Sequence, residues 1–297
     1  MKKLWLTLLS LILPASAVTF EDNDTVVLLG NTVIERAQKY GHLETALTLS
    51  ANKKNLKFRN LGWSGDTVFG HARSYFGPPK EGFARLKADL TELKPNVVIV
   101  CYGAVASFDS REGLPEFLAG YETLIAMIKS SASPREIVIV SPPPAESLGA
   151  PMPDMTTHNE DLSLYSRALG DLAKKHQLRF ADFFSTLGSS KALTDNGLHF
   201  TSEGYQAAAP KFVEALGLTL ATGNQLQSEH ARKLRDAIIA KNKLFFFQWR
   251  PANETYLRLF RKHEQGNNAK ELPMFDPLIA EAEKEIEALK KTTLSLK

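Results

Sequence analysis

Residues 25–32 have the sequence TVVLLGNT, an apolar run that ends at a glycine and is followed by two polar residues. A short run of this kind, rich in β-branched residues and bounded by a glycine, is typical of a buried strand. The next residues, through Ala37, Leu43 and Leu47, have helical spacing. The stretch therefore predicts a strand followed by a helix, which is the first half of a βαβ unit.

The same alternation of apolar runs and helical patterns continues to about residue 217. Four more strands are predicted, at 56–61, 97–102, 137–140 and 180–184. Helices are predicted at 83–93, 117–128 and 162–172, and a last one begins after 201–203. Strands that alternate with helices form parallel sheets with right-handed crossovers. The sequence thus predicts an α/β fold, a three-layer doubly wound sandwich around a five-stranded parallel sheet that fills residues 20–217.

The N-terminus has the pattern of an export signal. Lys2 and Lys3 precede an apolar run at 4–13 and the small-residue stretch Ala15-Ser16-Ala17. This pattern predicts a signal peptide at 1–17, cleaved on export to the periplasm or the extracellular space. An N-terminal anchor or core helix is the alternative, although the run is shorter than the roughly 20 residues that span a bilayer.

Residues 218–297 predict a helical extension instead of a further βαβ unit. Helices are predicted at 226–243 and 277–291, with an aromatic cluster and a polar stretch between them. So short a segment buries too little surface to fold alone. We expect residues 226–275 to pack on the α/β domain and help to wall the site; docking on the far side for stability alone is the alternative. Its candidate pocket residues are Arg250, Asn253, His263 and Glu264.

Charge and cysteine content exclude several classes of function. The net charge is +3, and removal of the two signal lysines lowers it to +1. No basic stripe with interleaved aromatics is present, so nucleic acid is not an expected partner. Cys101 is the one cysteine and cannot form an internal disulfide. The histidines lack the spacing of metal ligands. We expect no metal, no cofactor and no stable membrane span; the sequence does not give the oligomeric state.

Polar motifs follow the predicted strands at the sheet edge where ligands bind in such folds. Each motif alone is explained equally well as turn and cap residues. Their common placement indicates a site. The four motifs are Gly30-Asn31-Thr32, Gly62-Trp63-Ser64-Gly65-Asp66-Thr67, Tyr102-Gly103-Ala104-Val105 and Asp195-Asn196-Gly197-Leu198-His199.

In order and spacing these motifs resemble the SGNH (GDSL-like) hydrolases over about residues 24–217. That family has Gly-Asp-Ser after strand one, a glycine after strand two, Gly-x-Asn after strand three and Asp-x-x-His near the end of the domain. The Gly-Asn-Thr first motif and the helical extension are similar to an uncharacterised bacterial subgroup of GDSL-like proteins. The resemblance implies a flavodoxin-like SGNH fold and a carboxyl-ester hydrolase that needs no cofactor.

The resemblance also implies roles for individual residues. Thr32 has the position of the nucleophile and His199 that of the general base. Asn196 has the position of the aspartate that orients the histidine, and Asp195 beside it is an alternative. Gly65 is an expected oxyanion donor.

Three positions depart from the family pattern. Thr32 adds a methyl group that restricts its side chain. Asn196 cannot supply the negative charge that stabilises an imidazolium ion. Val105 stands where the family has the oxyanion asparagine, and it has no donor. The sequence therefore predicts a partly degenerate site.

Other residues are candidates for substrate contact. Asn31, Ser64 and Gly103 flank the motif positions, and His158 and Asn159 follow a proline-rich loop. His158 and Asn159 are equally explained as the start of a helix. The expected substrate is an acyl or acetyl ester of a small molecule or glycan. A catalytically inactive ester- or carbohydrate-binding protein and a partner-recruiting module are the alternatives.

Overall fold

The computed structural model describes residues 17–189, 191–220 and 226–295. The predicted export signal at 1–17 lies outside these residues except for Ala17, so export stays a prediction. No helix in the described ranges is both long and apolar enough to cross a membrane.

The centre of the molecule is a parallel sheet of five strands in the order β2-β1-β3-β4-β5. The strands are β1 (Thr25–Gly30), β2 (Lys57–Asn60), β3 (Val97–Cys101), β4 (Glu136–Val140) and β5 (Arg179–Ala181). β1 pairs with both β2 and β3, so the chain reverses its winding direction beside β1. This topology confirms the predicted doubly wound α/β fold, and it places the ends of β1, β2 and β3 at one edge.

Helices cover both faces of the sheet. The helices are α1 (Thr32–Tyr40), α2 (His42–Ser50), α3 (Pro79–Leu93), α4 (Ser110–Ala132), α5 (Thr156–Lys175), α6 (Phe183–Leu187), α7 (Ser202–Ala215), α8 (Glu229–Trp249), α9 (Glu254–Leu257), α10 (Lys262–Gln265) and α11 (Phe275–Ser295). Alternate residues of β1 point to opposite sides: Val26 and Leu28 join one core cluster, and Val27 and Leu29 join the other. The period of two in a strand thus produces the three layers.

Two of the differences from the sequence prediction have local causes. The first predicted helix is interrupted at Gly41, whose left-handed conformation (φ 69°) caps α1 before α2 begins. The predicted strand at 180–184 is wrong in its second half. Asp182 accepts a hydrogen bond from the N–H of Ser185 and caps α6, so β5 ends at Ala181.

The C-terminal extension packs along the β2 side of the domain. α8 continues beyond the predicted end at residue 243 and carries Phe245 and Trp249 into the second core cluster. Lys241 donates to Oε1 of Glu44 at 2.6 Å and to the carbonyl of Phe58 at 3.1 Å, with all three residues buried. α11 then packs on α8. The extension is thus anchored through α2 and β2.

Candidate active site

Thr32 lies at the start of α1, directly after the central strand β1. The preceding residue, Asn31, is buried and caps the helix, because its Oδ1 accepts from the N–H of Val33 at 3.4 Å. As the first residue of α1, Thr32 has an N–H without a partner inside the helix. The positive end of the helix dipole lies at the same point. The hydroxyl of Thr32 therefore stands where negative charge is favoured.

The turn after β2 brings Gly65 to Thr32. Gly65 has φ of +73°, a conformation that favours glycine, and its N–H donates to Oγ1 of Thr32 at 3.4 Å. The turn also lies close against α1, since a Cβ at Gly62 would be 2.3 Å from the backbone nitrogen of Glu35. The N–H of Ser64 donates to Oε2 of Glu35 at 2.5 Å. The backbone of the turn is thus presented to the Thr32 hydroxyl.

A buried polar cluster supports this turn from below. Oδ2 of Asp66 accepts from Nε of Arg73 at 2.7 Å and from the hydroxyl of Tyr102 at 2.8 Å. Nη2 of Arg73 donates to the carbonyl of Leu61 at 2.6 Å. Asp66, Arg73 and Tyr102 are almost completely buried, and burial raises the pKa of the Tyr102 phenol. The cluster ties the end of β2 to the end of β3.

His199 is oriented by an amide in place of a carboxylate. Oδ1 of Asn196 accepts from the N–H groups of Leu198, at 3.2 Å, and His199, at 2.9 Å. This orientation directs Nδ2 of Asn196 to Nδ1 of the His199 ring, at 2.9 Å. An amide nitrogen only donates, so Nδ1 of His199 must accept. The proton of the neutral ring therefore lies on Nε2.

This tautomer is the wrong one for a general base. A base must accept a proton at Nε2, and in Ser-His-Asp triads the carboxylate keeps the ring proton on Nδ1. In serine proteases the same exchange of carboxylate for amide lowers the rate by about 10⁴. Asn196 thus keeps the ring in place but disfavours the form that catalysis uses.

The protonation state of His199 is nevertheless suitable. Burial lowers its pKa from the usual 6.5, Arg36 lowers it further, and Asp195 opposes both effects. The ring is therefore neutral at neutral pH. Asp195 pairs with Arg36 at 3.6 Å. In the described part of the chain, no hydrogen bond joins the Asp195 carboxylate to the ring.

A small cavity of about 80 Å³ opens between Thr32 and His199. Its polar lining residues are Asn31, Thr32, His158 and His199. Apolar side chains form most of the rest: Val33, Val105, Phe108, Pro143, Pro144, Leu162 and Leu198. Among the described residues there is no hydrogen bond between Thr32 and the ring. The structure thus gathers Asn31, Thr32, Val105, His158 and His199 around one cavity, with Gly65 bonded to Thr32.

His158 contributes an aromatic wall to the cavity. Its ring stacks on Phe108 with the centroids 3.9 Å apart. Nε2 of His158 is buried and has no hydrogen-bond partner among the described residues. Burial lowers the pKa of His158, although Asp161 opposes the shift. His158 is thus a neutral ring beside the site with unused hydrogen-bonding capacity.

Several other predicted site residues do not line this cavity. Both ends of the Asn159 amide bond to the backbone of Ala145, at 2.8 Å each, so this side chain holds the proline-rich loop. Gly103 has φ of +127° at the end of β3 and directs the chain toward Val105. Val105, by contrast, does line the cavity; it is 39% exposed, and its side chain has no hydrogen-bond donor. Ser64 is exposed and contacts Glu35 through its backbone.

The extension reaches the turn beside the site through Trp249 and Arg250. The Trp249 ring packs edge-on against Trp63, with the centroids 5.8 Å apart. Nη1 of Arg250 contacts Oε1 of Glu35 at 2.6 Å. The other polar candidates of the extension contact residues within it: Nδ2 of Asn253 donates to Gln265 at 3.4 Å, and Nε2 of His263 lies 3.7 Å from the Glu264 carboxylate. All described lining residues of the cavity come from 31–199. The extension therefore contacts the turn next to the site. Contrary to what the sequence led us to expect, its described residues do not form a wall of this cavity.

Sequence reasoning missed Glu35, Arg36 and Phe108. Glu35 and Arg36 lie one helical turn after Thr32 on α1, so their spacing from Thr32 could have identified them as neighbours of the site. Phe108 lies in a 3₁₀ helix after β3 and stacks on His158, which is about 50 positions away along the chain. No local sequence pattern predicts a contact between residues so far apart.

Comparisons with known proteins identify the family and the fold. A sequence profile described as the GDSL-like Lipase/Acylhydrolase family matches residues 35–207, which include the second, third and fourth motifs. No curated protein matches the chain.

Solved structures give the same result for the fold. A catalytic mutant of Axe2, an acetylxylan esterase from Geobacillus stearothermophilus, has a TM-score of 0.53 at 16% identity, covering 69% of this chain and 99% of that chain. BT4096, a gut microbial diltiazem-metabolizing enzyme, has a TM-score of 0.54 at 17% identity, covering 68% of this chain and 49% of that chain. A putative GDSL-like lipase from Parabacteroides merdae has a TM-score of 0.51 at 14% identity, covering 68% and 100%. At such identities the likeness shows the fold alone.

Proposed function

This chain belongs to the GDSL-like lipase/acylhydrolase family, and on that premise we propose that it is a slow carboxyl-ester hydrolase for short acyl esters of a small molecule or glycan. The observation that carries the proposal is the meeting of three groups at one edge of the sheet. The N–H of Gly65 is 3.4 Å from Oγ1 of Thr32, and Thr32 shares its cavity with His199.

The reaction follows from the roles these groups can take. The Thr32 hydroxyl attacks the ester carbonyl, and its proton passes to Nε2 of His199. The N–H groups of Gly65 and Thr32 stabilise the oxyanion. The C–O bond then breaks, and the alcohol leaves with the proton from His199. Water then attacks the acyl-Thr32 ester and gives a proton to Nε2 of His199. The C–O bond to Oγ1 breaks, Oγ1 takes that proton back from His199, and the acid is released.

Three features make this reaction slow. His199 must first take the less stable tautomer, because the amide of Asn196 holds the ring proton on Nε2. The oxyanion has one donor fewer, since Val105 has none, and such a loss lowers the rate by about 10²–10³. The Thr32 methyl group restricts the approach of the hydroxyl. The proposed activity is therefore weak but uses the family site.

The cavity favours a short acyl group. Its volume of about 80 Å³ is well below the roughly 150 Å³ of a cavity that takes up a benzene ring, and its walls are mostly apolar. An acetyl group fits this space, whereas a longer chain has to leave it. The alcohol then lies outside the cavity, which supports a small molecule or glycan. The signal-like sequence at 1–17 supports action outside the cytoplasm.

A binding protein without turnover is the second candidate. The Asn196–His199 contact and the apolar Val105 favour this candidate. The first disfavours the catalytic tautomer and the second lacks an oxyanion donor, while both leave the cavity intact. The partner-recruiting alternative has less support. Of the large apolar side chains described in 226–250, Phe247 is the one that is exposed.

We expect the purified mature protein to hydrolyse p-nitrophenyl acetate above the buffer rate, and p-nitrophenyl octanoate at least about tenfold more slowly. The selectivity follows from the cavity volume, since a poorly accommodated chain costs about 1–3 kcal/mol. The measurement is the release of p-nitrophenolate under initial-rate conditions.

Two variants identify the groups responsible for this hydrolysis. Thr32→Val removes the hydroxyl at nearly constant volume, and His199→Ala removes the base; both should return the rate to background. Thr186→Val, on α6 away from the cavity, is the matched control. Hydrolysis that persists in both site variants would locate the activity elsewhere, and binding of the ester without hydrolysis would favour the second candidate.

A further inference from the structure

The turn that contains Gly65 is contacted by the C-terminal extension. We propose that Arg250 is a positioning residue that fixes the oxyanion donor Gly65 through Glu35 and Trp63. The inference rests on the proposed function, since it assigns to the extension a role in the same site. Arg250 itself touches neither the cavity nor Thr32 among the described contacts.

The first connection runs through a carboxylate. Nη1 of Arg250 is 2.6 Å from Oε1 of Glu35, and Oε2 of Glu35 accepts from the N–H of Ser64 at 2.5 Å. The Arg250 and Glu35 side chains are 23% and 15% exposed, so solvent screens the pair only partly. One carboxylate thus joins the extension to the backbone amide directly before Gly65.

The second connection runs through an aromatic ring. The guanidinium carbon of Arg250 lies 3.6 Å from the centroid of the Trp63 ring, which is 4% exposed. Planar guanidinium groups stack on aromatic faces. The N–H of Trp63 donates to the carbonyl of Gly30 at 3.0 Å, so the stacked residue also joins the turn to the end of β1. Arg250 therefore fastens two successive residues of the turn.

Gly65 has little support of its own beyond the long hydrogen bond from its N–H to Oγ1 of Thr32, at 3.4 Å. No atom lies within 4 Å of the position that a Cβ of Gly65 would occupy, and Ser64 and Gly65 are both exposed. The buried Asp66 holds the far side of the turn. The orientation of the Gly65 N–H is thus set by Asp66 on one side and by the Arg250–Glu35–Ser64 connection on the other.

A purely structural role for Arg250 would give a different result from a positioning role. Loss of a purely structural anchor lowers the global stability but leaves the kcat of the folded protein unchanged. A positioning residue affects kcat with little change in KM, because the oxyanion forms only in the transition state. It also changes the environment of the Ser64 and Gly65 amides in the free protein, which can be measured without any turnover.

The test compares Arg250→Met and Arg250→Lys with the matched control Arg261→Met. Arg261 lies in the same extension and pairs with Glu264 at the surface. Arg250→Met keeps an apolar contact with Trp63 but removes the guanidinium. We expect it to lower kcat for p-nitrophenyl acetate by about ten- to a hundredfold, with KM within about twofold. Amide exchange at Ser64 and Gly65 should become about tenfold faster, because the carboxylate acceptor is released. The control should change none of these quantities.

Arg250→Lys keeps the charge but not the planar stack, so we expect it to recover part of kcat and part of the amide protection. Unchanged exchange at Ser64 and Gly65 in a folded Arg250→Met protein would overturn the inference. If the wild type has no turnover, the proposed function fails, but the amide exchange still decides whether Arg250 fixes the turn. If Arg250→Met does not fold, Arg250→Lys supplies the same two readouts.

Discussion

The triple variant Thr32→Ser, Val105→Asn, Asn196→Asp should hydrolyse p-nitrophenyl acetate with kcat/KM raised by at least about 10³-fold. The amide at 196 disfavours the required tautomer, a defect that lowers the rate by about 10⁴ in serine proteases. The missing donor at 105 accounts for about 10²–10³. These losses do not add in full, since the residues act as a unit. The measurement is initial-rate kinetics of the triple variant beside the wild type.

The substitution Asn196→Asp should also move the acid limb of the rate to higher pH. A carboxylate beside Nδ1 stabilises the imidazolium ion and raises the pKa of His199 from its lowered value. Only neutral His199 accepts a proton, so activity is lost as the pH falls through that pKa.

Adding His199→Ala to the triple variant is the control for the rate increase and should abolish the gain. A folded triple variant without any gain would mean that these motifs do not form an acyl-transfer site.

Replacement of Asp66 by alanine should lower the free energy of unfolding by about 3–5 kcal/mol. Asp66 is the one carboxylate bonded to Arg73 in the described structure, and both side chains are fully buried. Removal of one member of such a pair leaves an uncompensated buried charge. The hydroxyl of Tyr102 would lose its acceptor as well. Urea denaturation measures the effect as a lower midpoint at similar slope.

The exposed pair Glu281–Lys284 supplies the control for Asp66→Ala. Both of its side chains are about three-quarters exposed, so Glu281→Ala should change the unfolding free energy by less than about 0.5 kcal/mol. An Asp66→Ala protein as stable as the Glu281→Ala protein would show that water reaches Arg73 and that the cluster does not support the turn.

The sheet was predictable because its strands are bounded apolar runs. The runs at 25–29 and 97–102 are buried on both faces, so nearly every residue is apolar and the signal is strong. The run at 180–184 has the same apolar character, but helix and strand cannot be distinguished in so short a run. The capping contact of Asp182 ends the strand and starts the helix. That contact depends on the fold around Ser141 as well as on the local sequence.

The site was predictable where position along a strand fixes position in space. Thr32 and Gly65 follow neighbouring parallel strands, and such ends meet at one edge. The tautomer of His199 was not predictable, because it depends on which end of the Asn196 amide faces the ring. Two backbone N–H groups determine that orientation. The Arg250–Glu35 contact joins residues 215 positions apart, and no local pattern in the sequence encodes such a pairing.

The measurement that tests the central claim most directly is peptide mapping after incubation of the wild type with p-nitrophenyl acetate. An activated ester acylates the nucleophile more easily than water removes the acyl group, and the unfavourable tautomer slows both steps. The acyl-enzyme should therefore accumulate. We predict acetyl on Thr32, absent from Thr32→Val and turned over faster in Asn196→Asp. A Thr32 that stays unmodified while the ester is hydrolysed would contradict the account.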